Sequence, residues 1–131
     1  MLNNSQKRKI LKKKNFSVWE FICTFVTNKR NMNITGSEKL EKFCRKHNDA
    51  QSALEKWVDE VTKASWKNHN DLKNDYLSAD YVGNNRYVFN IRGNKYRLIV
   101  LVVFFAGNVD IRFVGTHADY DSIDEKKIKT I

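Results

Sequence analysis

Between Arg86 and Thr116 the chain alternates apolar and polar residues with the two-residue period of a β-strand, and the alternation breaks at two Gly-Asn pairs. Arg86-Tyr87-Val88-Phe89-Asn90-Ile91 and Tyr96-Arg97-Leu98-Ile99-Val100 flank Gly93-Asn94, and a third run containing Ile111-Arg112-Phe113 follows Gly107-Asn108. Glycine and asparagine tolerate the positive φ of tight hairpin turns, so the pattern predicts three antiparallel strands joined by two-residue loops. Two-residue loops fix the register: Ile91 opposes Tyr96, Asn90 opposes Arg97, Val102 opposes Phe113 and Val103 opposes Arg112. One sheet face then carries Tyr87, Phe89, Ile91, Tyr96, Leu98, Val100, Val102, Phe104, Ile111 and Phe113. The other carries Arg86, Val88, Asn90, Lys95, Arg97, Ile99, Leu101, Val103 and Arg112, apolar at one end and cationic at the other.

The apolar face needs a cover, and the preceding residues supply two helical patterns. Ser37 reads as the N-cap of a helix bearing Leu40, Phe43 and Cys44 on one side, and Asp49 as the cap of a second. In the second, Ala50, Ala53, Leu54, Trp57, Val58, Val61 and Ala64 recur on one helical face. Trp57 falls in that stripe and reads as core, whereas Trp66 either packs or covers an edge. Ile34-Thr35 is long enough only for an edge strand. The polar stretch from Asn68 to Ser78 suggests no more than a turn or a single helical turn, with His69 solvated. The class is α+β, a small, mostly antiparallel sheet with two N-terminal helices on one face.

A chain of 131 residues and 15.4 kDa has room for a single core. Its formal charge of +9 is unevenly placed. Residues 1–31 hold eight Lys and Arg against Glu20, so they carry most of the excess, and residues 32–131 are nearly balanced. Within the balanced part, residues 84–117 set Arg86, Arg92, Lys95, Arg97 and Arg112 against Asp110, a local cationic region suited to an anion. Arg97 and Arg112 on central strands call for an anionic visitor; the plainer alternative is pairing with Asp110, Asp119 or Asp121.

Cys23 and Cys44 are too few and too far apart for a zinc site or disulfide framework, and a cytoplasmic location is expected. The basic-then-apolar order of residues 7–27 imitates a signal peptide. Glu20 interrupts the apolar run, which is too short to span a bilayer, and no cleavage pattern follows; no membrane role is expected. Residues 1–31 read as an N-terminal extension, not native to the domain or disordered, and the domain as residues 32–131. An appended basic amphipathic helix is the competing reading.

The blocks Lys46-His47-Asn48-Asp49-Ala50, Trp57, Trp66, Asn85 through Leu98, and Ile111-Arg112-Phe113-Val114-Gly115-Thr116-His117-Ala118-Asp119-Tyr120-Asp121 together resemble the HigB family of type II toxins over about residues 32–128. Two departures stand out. Asn48 occupies the place of the family's usual proline, and residues 1–31 have no counterpart. The resemblance implies a RelE-like fold and a ribosome-dependent mRNA endonuclease, without metal or cofactor, neutralised by a helix-turn-helix antitoxin.

That activity has definite chemical needs. A ribose 2′-hydroxyl attacking its own phosphate requires a base, cations for the phosphorane oxygens and an acid for the leaving 5′-oxygen. His117, as an imidazole, serves as either acid or base. Arg97 offers a planar, permanently charged fork for phosphate, with Lys95, Arg112 and Arg86 as further phosphate contacts. Tyr120, one helical turn after His117, is placed to stack on a base or assist proton transfer. Asp121 either orients His117 or caps a C-terminal helix. Two other classes compete: a non-catalytic RNA or ribosome binder would use the cations without His117, and a membrane-associated factor would depend on residues 1–31.

Overall fold

The computed structural model describes residues 32–131, so the extension assigned to residues 1–31 lies outside the described residues. Strand β1 (Asn33–Thr35) leads into helix α1 (Ser37–Lys46); a 3-10 turn at Asn48–Ala50 precedes α2 (Gln51–Lys63) and α3 (His69–Asp75). Strands β2 (Asp80–Gly83), β3 (Arg86–Ile91), β4 (Tyr96–Val103) and β5 (Asn108–Thr116) follow, and α4 (His117–Asp121) and α5 (Glu125–Ile128) complete the chain. The five strands form one sheet in the order β1-β5-β4-β3-β2, antiparallel except for the parallel pair β1 and β5.

The first face behaves as the helical stripes predict. Leu40 and Cys44 of α1 and Leu54, Trp57, Val58 and Val61 of α2 share one buried cluster with Tyr87, Phe89, Ile91, Tyr96, Leu98, Val100, Val102, Val109 and Ile111. Phe89 lies at its centre, its ring meeting Trp57 at 5.4 Å and Tyr76 at 5.0 Å between centroids, both edge-on. Burial raises the Cys44 thiol to about 11, with Glu55 adding to the effect, which keeps it protonated and unreactive.

Several local expectations need correction. Ser37 does not cap α1. It is the first helical residue, and Gly36, in the left-handed region at φ 82°, occupies the cap position. A side chain there would be doubly excluded, since a Cβ would stand 2.7 Å from the Ile111 carbonyl oxygen. Asp49 does not cap α2 either, because its carboxylate is drawn to the β3–β4 hairpin. The polar stretch forms a full helix, α3, because Asn68 accepts the Asp71 N–H at 3.0 Å and Leu72 is fully buried. His69 stays exposed, as expected, although it also meets the Tyr87 hydroxyl at 2.7 Å and lies against Tyr81 and Tyr87. Trp66 is buried, its indole N–H donating to Asp75 at 2.8 Å. Beyond it the chain adds an unforeseen strand, β2.

The largest correction concerns the second hairpin. The first has the expected register, with Asn90 opposite Arg97 and Ile91 opposite Tyr96. In the second, Phe104–Ala106 form a 3-10 turn closed by Gly107 at φ 63°, so Asn108 already belongs to β5 and Val102 meets Val109 instead of Phe113. The turn is longer because Phe104 folds back onto the core, its ring 6.2 Å from that of Tyr87. An irregularity between the Val100–Ile111 and Ile99–Phe113 pairs then leaves Arg112 as an extra residue. This bulge moves Phe113 to the second face, opposite Phe89, where it packs with Val88, Ile99, Tyr120, Ile123 and Ile128. The apolar end of the second face is thereby covered by the C-terminal segment, and its cationic end stays accessible.

Candidate active site

Arg97 sits on β4 opposite Gly115 of β5. Its guanidinium donates to Asn90 Oδ1 on β3 and, at 3.4 Å, to Asn94 Oδ1 in the hairpin turn. Both acceptors are neutral, and no carboxylate pairs with Arg97 among the described residues. The charge is positioned but not cancelled, the condition for receiving an external anion. Its other neighbour is Tyr120, whose ring centroid lies 5.7 Å from the guanidinium carbon.

Where β5 ends, Thr116 starts α4 with a reciprocal cap: its hydroxyl accepts the Asp119 N–H and Asp119 Oδ2 accepts the Thr116 N–H, each at 3.1 Å. Asp119 is thus consumed by the cap, and His117 is fixed as the first helical residue. The His117 N–H is tied at 3.3 Å to the Lys95 carbonyl oxygen, which anchors the helix to the β3–β4 hairpin. The imidazole is half-exposed, and its Nδ1 lies 2.9 Å from Asp121 Oδ2. A carboxylate there favours the proton on Nδ1 and leaves Nε2 with its lone pair toward solvent. Asp121 thus lies against His117, and the cap of α5 comes from Asp124. Burial raises the Tyr120 hydroxyl above its ordinary range, opposed in part by Arg97, so the phenol remains protonated at neutral pH.

Gly115 permits the packing of α4 against β5. A Cβ at that position would lie 2.6 Å from Phe113 Cζ and 3.0 Å from Asp119 Cβ, so the missing side chain is what lets the Phe113 ring and α4 close over the strand beside Arg97.

The side chains of the remaining candidate cations are engaged by other partners. Lys95 turns to Asp49, which also accepts from Arg92 and, at 2.6 Å, from the buried Tyr96 hydroxyl. Arg112 donates to Asp110 at 2.7 Å and to the Ile131 carbonyl oxygen at 2.9 Å, which is the pairing considered as its plainer alternative. Arg86 shares that oxygen at 2.9 Å and also donates to Asn84. Asn94 and Asp49 escaped the sequence reading because neither belongs to a periodic pattern. Asn90 was visible as the residue opposite Arg97, but nothing in its spacing showed that it would hold the guanidinium.

The Asp49 cluster makes a prediction about acid stability. The Lys95 and Tyr96 hydrogen bonds, assisted by the charge of Arg92, lower the Asp49 carboxyl from its ordinary 3.8 to about 2. A group whose folded pKa is depressed contributes stability that is complete above its unfolded value and is lost as pH falls through the folded one, here from about pH 4 to about pH 2. The wild-type unfolding midpoint should fall more steeply across that window than that of Asp49→Asn. Parallel pH profiles would show that the cluster contributes nothing.

Residues 50–123 match the family described as the HigB toxin, RelE-like toxic component of a toxin-antitoxin system. The class is therefore that of a toxin whose family implies an antitoxin partner. Because the match spans more than half of the sequence, the chain belongs to the HigB toxin family. No curated relative matches the chain. Among the described residues no helix is long and apolar enough to cross a membrane.

Proposed function

We propose that this toxin is an endoribonuclease that cleaves messenger RNA on the translating ribosome in the cytoplasm, by acid-base chemistry that uses no metal, and so inhibits translation until a helix-turn-helix antitoxin neutralises it. The observation that carries the reading is the uncompensated guanidinium of Arg97, held by neutral asparagines against Tyr120 on the strand paired with the one that ends just before His117.

In the reaction the 2′-hydroxyl loses its proton to His117 Nε2 while its oxygen bonds to phosphorus. The bond from phosphorus to the 5′-oxygen breaks, and that oxygen gains a proton. Asp121 keeps the imidazole oriented and stabilises the imidazolium that forms. Arg97 holds the charge that builds on the phosphorane oxygens, at a site where the donor is already in place and needs no reorganisation. The protonated Tyr120 hydroxyl donates toward the departing oxygen, with its ring face available to a base. Lys95, Arg112 and Arg86, whose charges are shared with Asp49, Asp110 and the Ile131 oxygen, take the lesser part of holding flanking phosphates.

The test is to add purified toxin to ribosomes translating a defined message and map the transcript ends. Cleavage of the ribosome-bound message, with the same free message spared, is the expected result. Arrested translation with intact transcripts would replace the enzyme by a non-catalytic binder.

A further inference from the structure

A second cationic feature lies on the other side of β5. Lys39, Lys42 and Lys46 recur on one face of α1 and, with Phe43, form one wall of a groove of about 350 Å³ whose other wall is Arg112, Phe113 and Val114. Lys42 and Lys46 have no hydrogen bond or ion pair among the described residues, whereas Lys39 approaches Glu38 at 3.8 Å and its charge also reaches Asp110. Among the described residues the carboxylate acting on the opposite wall is Asp110, paired with Arg112. Cationic charge therefore exceeds what the groove neutralises, while Phe43, Phe113 and Val114 give it an apolar floor. Basic rims with aromatic floors suit single-stranded nucleic acid, whose phosphates need cations and whose bases need flat apolar surface.

The groove is continuous with the candidate active site through β5 itself. Strand β1 covers β5 only over Asn108–Asp110, so from Arg112 onward β5 has a strand neighbour on one side alone. From Arg112 to His117 the chain advances five residues, about 17 Å of extended strand, a span of a few nucleotides.

Resting on the endonuclease reading for its placement, we infer that this groove holds the RNA strand flanking the scissile phosphate, with the backbone on Lys39, Lys42 and Lys46 and a base against Phe113. A single-stranded RNA is favoured over an acidic peptide because the lysines line an apolar floor at strand distance from the proton-transfer residue. The groove thus adds affinity for RNA independently of the ribosome.

The test uses the full chain and a short, unstructured, 2′-O-methylated RNA, which cannot be cleaved, with binding measured over a salt series. The Lys42→Gln, Lys46→Gln double variant should bind about tenfold more weakly at low salt and lose about 0.7 per lysine from the slope of log affinity against log salt. A Lys126→Gln, Lys127→Gln control on the exposed faces of α5 removes the same charge and should change little. Equal losses in the two double variants, unchanged binding in the first, or no binding by the wild type would each overturn the inference. A polyglutamate peptide of matched charge completes the test: if the α1 substitutions weakened its binding but spared RNA, the groove would be a peptide site. RNA affinity is read without cleavage, so failure of the groove and failure of the endonuclease reading give different results.

Discussion

Replacing His117 with alanine should reduce cleavage of ribosome-bound message by about a hundredfold or more, the ordinary cost of removing a positioned proton-transfer group. The fold should scarcely register the change. His117 is half-exposed, and its one side-chain partner, Asp121, is an exposed neighbour four residues on; such pairs contribute less than about 1 kcal/mol. The helix start depends instead on the Thr116–Asp119 cap and on the His117 main-chain N–H, both kept by alanine. Arg97→Ala should lose a comparable factor for a different reason, since it removes the charge that receives the phosphorane. Asn90 and Asn94 lose their donor in that variant, so a modest drop in stability is expected beside the large drop in rate. A purified His117→Ala variant that cut at the wild-type rate with an unchanged unfolding midpoint would return His117 to a structural role at the end of β5.

Phe89→Ala should produce the largest loss of stability, about 3–5 kcal/mol. The ring is 2% exposed and wedged between Trp57 of α2 and Tyr76, so its removal leaves a cavity bounded by aromatic rings that cannot collapse without moving the sheet off the helices. Against the 5–15 kcal/mol that usually separates folded from unfolded domains, that is a large fraction. Phe113→Ala provides the contrast. Phe113 is half-buried in the smaller cluster on the other face, so it should cost clearly less in a urea titration. Equal losses at the two positions would mean that they serve one core and that the bulge at Arg112 is wrong.

That contrast marks where the sequence was readable. Period-two alternation specifies which residues of one strand share a face, and the Gly93-Asn94 turn then fixed the neighbouring strand because little else competes for those residues. Gly107-Asn108 carries the same signal, yet Phe104 can bury its ring against Tyr87, and doing so lengthens the turn and shifts every β5 partner. The bulge left no trace in composition, since Arg112 looks like one more alternating polar residue. Helix stripes were legible for the same reason as β3: Leu54, Trp57, Val58 and Val61 repeat, whereas α3 presents only Leu72 and relies on the Asn68 cap.

At the candidate site, residue chemistry was more legible than partnership. Arg97, His117 and Tyr120 were marked by type and order. The choice of partner depends on contacts between distant segments: Lys95 goes to Asp49, forty-six residues away in sequence, while Arg97 is left with neutral acceptors. Arg97 is consequently a strand cation whose charge no carboxylate among the described residues offsets, and on it the proposed chemistry depends.

The most direct test of that chemistry is the identity of the new ends on the cut message. Attack by the 2′-hydroxyl must leave a 2′,3′-cyclic phosphate, or the 3′-phosphate formed when it opens, on one fragment and a 5′-hydroxyl on the other. Those ends, produced by the wild-type toxin and almost absent with Arg97→Ala, are the predicted result. A 5′-phosphate paired with a 3′-hydroxyl would contradict it, because water rather than the ribose would then have attacked phosphorus.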